Sequence, residues 1–153
     1  MREKTYPKIS IVIPVYNESE IINAFHSQLI AVIDSLTNDS TIWYVDDGSS
    51  DDTPTVLNNL VDGDPRVRVL TLSRNFGHQA ALTCGLDHVE GDVIITMDGD
   101  GQNPPEMIPE MLNLYQAGYD IVTGQRQSGA EEPFFKRISS RFFYRLINRI
   151  GNL

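Results

Sequence analysis

The sequence predicts an open α/β sandwich, a mostly parallel sheet covered by helices on both faces. Three observations predict it. Short apolar runs rich in β-branched residues recur along the chain. Helical segments separate them. Four of the five apolar runs end in polar clusters. Continuously apolar strands are buried on both faces, and crossover helices between them make the pairing parallel.

The elements follow in order. Residues 8–15 (KISIVIPV) read as a buried strand. Residues 19–36 read as a helix with Ile22, Phe25, Leu29, Val32 and Leu36 on one face. Residues 41–45 (TIWYV) form the second strand. Thr53 is placed to cap a helix whose first position is Pro54, and that helix runs to Val61. After a turn at 62–65 comes strand three, 67–72. A helix starts at Phe76 or His78 and ends near Val89. Strand four is 93–97. Pro104 and Pro105 open a helix that Gly118 stops, and strand five is 121–124. Cys84 falls inside the third helix without an evident His partner and reads as core. Residues 125–133 form a polar loop, which divides a body of 1–132 from a tail of 133–153.

Composition sets bounds on function. The chain has 153 residues, 41% hydrophobic and 22% charged, as in an ordinary globular domain. A single cysteine excludes an intrachain disulfide. No apolar run approaches the length of a membrane-spanning helix, and residues 1–8 lack the apolar core of a signal peptide. Residues 1–132 carry 7 basic and 21 acidic residues, and residues 133–153 carry five basic and none acidic. So acidic a body argues against nucleic-acid binding. It admits phosphate ligands where a bound metal ion reverses the local field.

In a parallel sheet, ligands bind beyond the carboxyl ends of the strands. The polar clusters lie there: Pro14-Val15-Tyr16-Asn17-Glu18, Asp46-Asp47-Gly48-Ser49-Ser50-Asp51, Asp98-Gly99-Asp100-Gly101-Gln102 and Gly124-Gln125-Arg126. Asp98 and Asp100 are the sharpest pair. Adjacent carboxylates repel unless a cation lies between them, and hard oxygen ligands suit Mg²⁺ or Mn²⁺. The plainer alternative is an Asx-type turn, since Asp-Gly pairs favour turns. Asp46 is placed to accept a ring N–H, which uracil and guanine offer, while Ser49, Asp51 or Thr53 caps the next helix. Tyr16 either stacks on a base or fills the core edge. Glu18 suits the first turn of a helix on dipole grounds alone. Arg126 either grips a phosphate bidentately or forms a surface ion pair. Arg74 and His78 flank a helix start that attracts anions, or else are solvated loop residues. There is no G-x-S-x-G elbow, no P-loop and no G-x-G-x-x-G after strand one, which disfavours serine hydrolase, NTPase and dinucleotide readings.

These clusters resemble the motifs of glycosyltransferase family 2, the inverting enzymes of the GT-A fold. The segments 72–82 (LSRNFGHQAAL) and 102–106 (QNPPE) are similar to its polyprenyl-phosphate branch, which includes dolichyl- and undecaprenyl-phosphate glycosyltransferases. The resemblance covers residues 8–150. It implies a Rossmann-like GT-A sheet, a UDP- or GDP-sugar donor and a polyprenyl-phosphate acceptor. It implies that Pro14, Tyr16, Glu18, Asp46, Asp47 and Gly99 line the nucleotide pocket, with Tyr44 lending backbone. It implies that Asp98, Asp100 and Gln102 hold Mg²⁺ or Mn²⁺ and that Arg126 contacts phosphate. The family often has Asp-Ala-Asp where this chain has Gly99, which is expected to leave metal binding intact and to loosen the loop.

Relatives in that branch continue to acceptor-side helices and often C-terminal membrane helices. The chain is therefore expected to be part of a longer protein, with any general base beyond Leu153. Phe134, Phe135, Ile138, Phe142, Leu146, Ile150 and Leu153 fall at helical spacing beside Arg137, Arg141, Arg145 and Arg149. A basic amphipathic helix of this kind suits a membrane interface on the cytoplasmic face, or docks on the sheet. The alternative to a transferase is a truncated sugar-nucleotide-binding module without activity. A nucleotidyltransferase would carry a Gly-rich basic loop after strand one, which Tyr16-Asn17-Glu18 is not.

Overall fold

A computed structural model describes residues 7–36, 39–100 and 103–124. The chain divides into two compact units, Met1–Gly118 and Tyr119–Leu153. Among the described residues the first contains four strands and four α-helices: β1 (Ile9–Val15), α1 (Ile22–Asp34), β2 (Ser40–Asp46), α2 (Thr53–Gly63), β3 (Val67–Thr71), α3 (His78–Leu86), β4 (Val93–Thr96) and α4 (Ile108–Gln116). A 3₁₀ turn, Pro105–Met107, leads into α4.

The sheet is parallel throughout, in the order β3-β2-β1-β4. The chain steps outward from β1 to β3, then returns through α3 to place β4 on the other side of β1. The strand order thus reverses beside β1, and a crevice opens there at the carboxyl ends. All seven residues of β1 are buried, as the sequence KISIVIPV requires of a central strand.

Alternation along β1 separates two cores. Ile9, Ile11, Ile13 and Val15 face one side, where Ile22, Phe25, Leu29 and Ile33 of α1, Leu57 of α2, and Ile108 and Leu112 of α4 pack on them. Val12 and Val45 face the other side, under Ala81 of α3 and Val89. Cys84 packs against this second, smaller cluster. α3 lies very close to the sheet because Gly85 has no side chain. A Cβ there would overlap Val12 Cγ1 and stand 2.9 Å from Val45 Cγ2. Within the larger core the buried Tyr44 hydroxyl meets His26 Nδ1 at 3.1 Å. At the opposite end of the sheet from the crevice, Arg66 binds Asp34 at 2.6 Å and Asp64 at 2.8 Å, joining the ends of α1 and α2 to the start of β3.

Three expectations are corrected. Residues 121–124 form no strand, and Ile121 is 82% exposed. Four residues are a weak strand signal, because a strand exists only where a neighbour completes its hydrogen bonds. α1 starts at Ile22, not Ser19, since residues 17–19 are drawn into contacts with the loop after β2. The N-cap of α2 is Asp52 rather than Thr53, because the Thr53 hydroxyl accepts the backbone N–H of Glu18 at 2.9 Å instead.

Candidate active site

The loops after β1 and β2 are bound into one surface. Asn17 adopts a left-handed backbone with φ of 53°, a conformation that Asn tolerates better than most residues. Its side-chain Oδ1 accepts the Ser50 N–H at 2.8 Å, and its own N–H donates to Ser49 Oγ at 2.9 Å. Ser19 N–H donates to Asp51 Oδ2 at 3.3 Å, while Asp51 Oδ1 accepts the Thr53 N–H at 2.9 Å. Partial desolvation raises the Asp51 carboxyl, but the hydrogen bonds from Thr53 and Ser19 more than reverse this and hold it down at about 2.

Asp46 and Asp47 end β2 in different ways. Asp47 is buried, and its two oxygens accept the N–H groups of Phe76 at 2.8 Å and Gly77 at 2.9 Å. It thereby fixes the turn into α3, where Gly77 has φ of 96° and Arg74 lies over the Phe76 ring at 4.5 Å. Gly48 is needed in the same place: its φ is 68°, and a Cβ would strike the backbone of Arg74. Asp46 is fully buried. Its Oδ1 accepts the Ser49 N–H at 2.9 Å, and its Oδ2 has no protein partner. An oxygen of this kind has capacity left for a ligand N–H.

Two clefts of about 190 Å³ each adjoin along Pro14 and His78. The first is lined by Pro14, Tyr16, Glu18, Asp47, Asn75 and Gly77, among others. The second is lined by Pro14, Leu82, Thr96, Met97, Asp98 and Asn103 along with His78. Tyr16 is 43% exposed and free to meet a planar ligand. Arg74 and His78, expected near an anion site, stand at the start of α3, with His78 lining both clefts.

Acidic groups converge between the clefts. Burial first, then the charges of Asp100, Asp98 and Asp51, push the Glu18 carboxyl up to about 7. Glu18 Oε2 is buried with no hydrogen-bond partner. It lies against Gly99: a Cβ at that position would be 2.8 Å from Glu18 Oε2 and 2.8 Å from Val15 Cγ1. The lack of a side chain at Gly99 lets the Asp98–Asp100 turn seat closely on β1 and on Glu18. Asp98 is half-exposed. Its Oδ2 accepts a hydrogen bond from Asn103 Nδ2 at 2.9 Å, and its Oδ1 lies 3.5 Å from His78 Nε2.

The donor set fits a divalent cation in its chemistry: hard carboxylate oxygens, mutually repelling, one of them buried and unpaired. Among the described residues no group of three or more His, Cys, Asp or Glu side chains is arranged to hold a metal ion. A Mg²⁺- or Mn²⁺-type site needs only one or two carboxylates, with water and phosphate oxygens completing the coordination.

The structure thus brings Pro14, Tyr16, Glu18, Asp47, Asp98, Gly99 and Asp100 to one end of the sheet, with Asp46 buried at the end of β2 and lining neither cleft. Tyr44 is elsewhere: its side chain lies in the core against His26, and its backbone is paired on both sides, with Ile13 and Val69. Gln102, Arg126 and residues 134–153 lie outside the described residues. Sequence reasoning missed Asn17 and Asn103. The amide of Asn103 precedes the Pro104-Pro105 pair, which marks a turn but not its partner.

Comparison with known proteins agrees with this geometry. The sequence model for Glycosyl transferase family 2 matches residues 10–153. The prophage bactoprenol glucosyl transferase homolog of Escherichia coli K12 is 40% identical over 145 residues, which are 95% of this chain and 47% of that protein. The undecaprenyl-phosphate 4-deoxy-4-formamido-L-arabinose transferase of Edwardsiella ictaluri is 40% identical over 147 residues, 95% of this chain and 45% of that protein. The chain thus spans about half the length of these relatives. Among solved structures, mannosyltransferase PcManGT from Pyrobaculum calidifontis, in complex with GDP-Man and Mn²⁺, superposes with a TM-score of 0.57 at 23% identity, over 63% of this chain and 28% of that one. That likeness concerns the fold, which is the GT-A fold. On the family match and the extent of these identities, the chain belongs to glycosyltransferase family 2.

Proposed function

We propose that this chain forms the donor-binding part of an inverting, metal-dependent glycosyltransferase. It would move a hexose of glucose or mannose type from a UDP- or GDP-sugar to a polyprenyl phosphate. One observation carries the reading: Glu18, Asp98 and Asp100 are drawn together at the reversal of strand order, with a buried carboxylate oxygen left unpaired. The names of the bactoprenol and undecaprenyl-phosphate relatives support the acceptor class.

In this reading Tyr16 covers the base and Pro14 forms the cleft wall. Asp46 Oδ2 accepts the ring N–H of uracil or guanine. Asp47 keeps the Asn75–Gly77 wall in place. Asp98 and Asp100, with Gln102, would hold Mg²⁺ or Mn²⁺, and Arg126 would contact a phosphate. Bound there, the ion would supply Lewis-acid neutralisation of the departing diphosphate. An oxygen of the acceptor phosphate bonds to the anomeric carbon from the opposite face as the bond to the diphosphate breaks. That oxygen is already anionic, so positioning and charge stabilisation outweigh the need for a strong base. The basic apolar segment 134–153 would meet the anionic membrane surface where such a lipid resides.

Calorimetric titration with UDP and with GDP in Mn²⁺ buffer tests the donor reading. Binding of one diphosphate, dependent on the metal, is expected. Absence of heat with both, on folded protein, overturns it. Incubation with labelled sugar nucleotide and a short prenyl phosphate then separates a transferase from a binding module.

A further inference from the structure

We propose that Asn103 is a positioning residue for Asp98, its amide turning the carboxylate so that the opposite oxygen faces the divalent cation. The inference rests on the metal reading above and extends it to a residue outside the Asp98–Gln102 cluster.

Asp98 lies two residues beyond a short strand, with its side chain 47% exposed. A carboxylate so exposed turns freely unless something holds it. Asn103 Nδ2 at 2.9 Å is a good hydrogen bond, whereas His78 Nε2 at 3.5 Å is too far for one. The orientation of the Asn103 amide follows from chemistry, since an ionised carboxylate only accepts and the amide nitrogen only donates. With Oδ2 bonded to Asn103, Oδ1 is the oxygen left on the His78 side, 3.5 Å from Nε2 and without a short hydrogen bond to it.

The amide is delivered from a rigid support. Asn103 precedes Pro104, which restricts its backbone to extended conformations. Pro104 is itself extended, with φ of −69° and ψ of 130°. Pro105 is buried, and the helix that follows anchors Ile108 and Leu112 in the larger core. A rotamer choice at the metal site is thereby coupled to the packing of α4. Ligating carboxylates in metal sites are commonly held in this way by hydrogen bonds behind them, and loss of such a partner weakens metal binding about 10–100-fold.

The test measures Mn²⁺ uptake by the full chain, from loss of the free-ion electron paramagnetic resonance signal, with UDP or GDP present. Wild type, Asn103→Ala, Asn103→Asp, Asp98→Ala and the double variant Asp98→Ala/Asn103→Ala are compared. Thermal melting without metal checks folding. Asn103→Ala is expected to weaken Mn²⁺ about 10-fold or more. In the Asp98→Ala background the same change is expected to cost nothing further, because the effect runs through Asp98. Unchanged Mn²⁺ affinity in a folded Asn103→Ala protein overturns the inference. So does tighter binding by Asn103→Asp, which would mark position 103 as a direct ligand. A further loss in the Asp98→Ala background overturns it as well. Wild type that takes up no Mn²⁺ with either nucleotide fails the metal reading itself, a result separate from all of these.

Discussion

The turns after β2 and β4 both carry aspartates at the ends of parallel strands, yet they use them differently. After β2 the carboxylates bind backbone N–H groups. Asp47 satisfies two backbone N–H groups of the α3 turn, and Asp51 satisfies two more. After β4, Asp98 is half-exposed and accepts a hydrogen bond from the side chain of Asn103 at 2.9 Å. The first turn uses its charge to build backbone. The second keeps its charge directed at solvent, near a third acid. A run of aspartates therefore has no single meaning, and the partner of each oxygen decides which are architecture.

The contrast is sharpest where activity is read. Asp98→Ala or Asp100→Ala is expected to cost orders of magnitude in sugar transfer while stability changes by less than about 0.5 kcal/mol. Near-normal turnover by either variant breaks the distinction. The reverse pattern is expected at Asp47. Asp47→Ala leaves the Phe76 and Gly77 N–H groups without an acceptor, at a cost of roughly 3 kcal/mol in urea unfolding. A smaller effect follows at the seat between the acids. Gly99→Ala places a methyl 2.8 Å from Val15 Cγ1, and overpacking of this kind costs about 1–2 kcal/mol. Val15→Ala in the same protein should recover part of that loss, and its failure to do so would put the strain elsewhere. The smallest effect is on pH dependence. The Asp51 carboxyl titrates at about 2 in the folded protein. An unfolded aspartate titrates near 3.9, so the unfolded chain binds the proton first as pH falls. The stabilisation is therefore complete above about pH 4 and is lost as pH drops through about 2. Asp51→Asn should flatten this part of an acid-unfolding curve, and an unchanged slope would remove Asp51 from the account.

Much of this arrangement was legible in the sequence. The four strands and their helices follow from apolar runs, because a central parallel strand has no polar face to hide. Their polar ends fell on one edge by topology alone. What escaped was set by tertiary contact. The weak run at 121–124 had the composition of a strand but formed no ladder. The start of α1 moved because Asn17, Glu18 and Ser19 found partners some thirty residues away. Asn103 gave no sign of its partner, since a single amide before two prolines reads only as a turn.

The stitching of the first two loops has a consequence for transplanting specificity. Asn17 Oδ1, Ser49 Oγ, Asp51 and Thr53 complete one another's valences across two separate stretches of chain. A graft that replaces one stretch alone would leave donors and acceptors of the other without their partners. Altering what this surface recognises therefore calls for moving both stretches together, as one cassette.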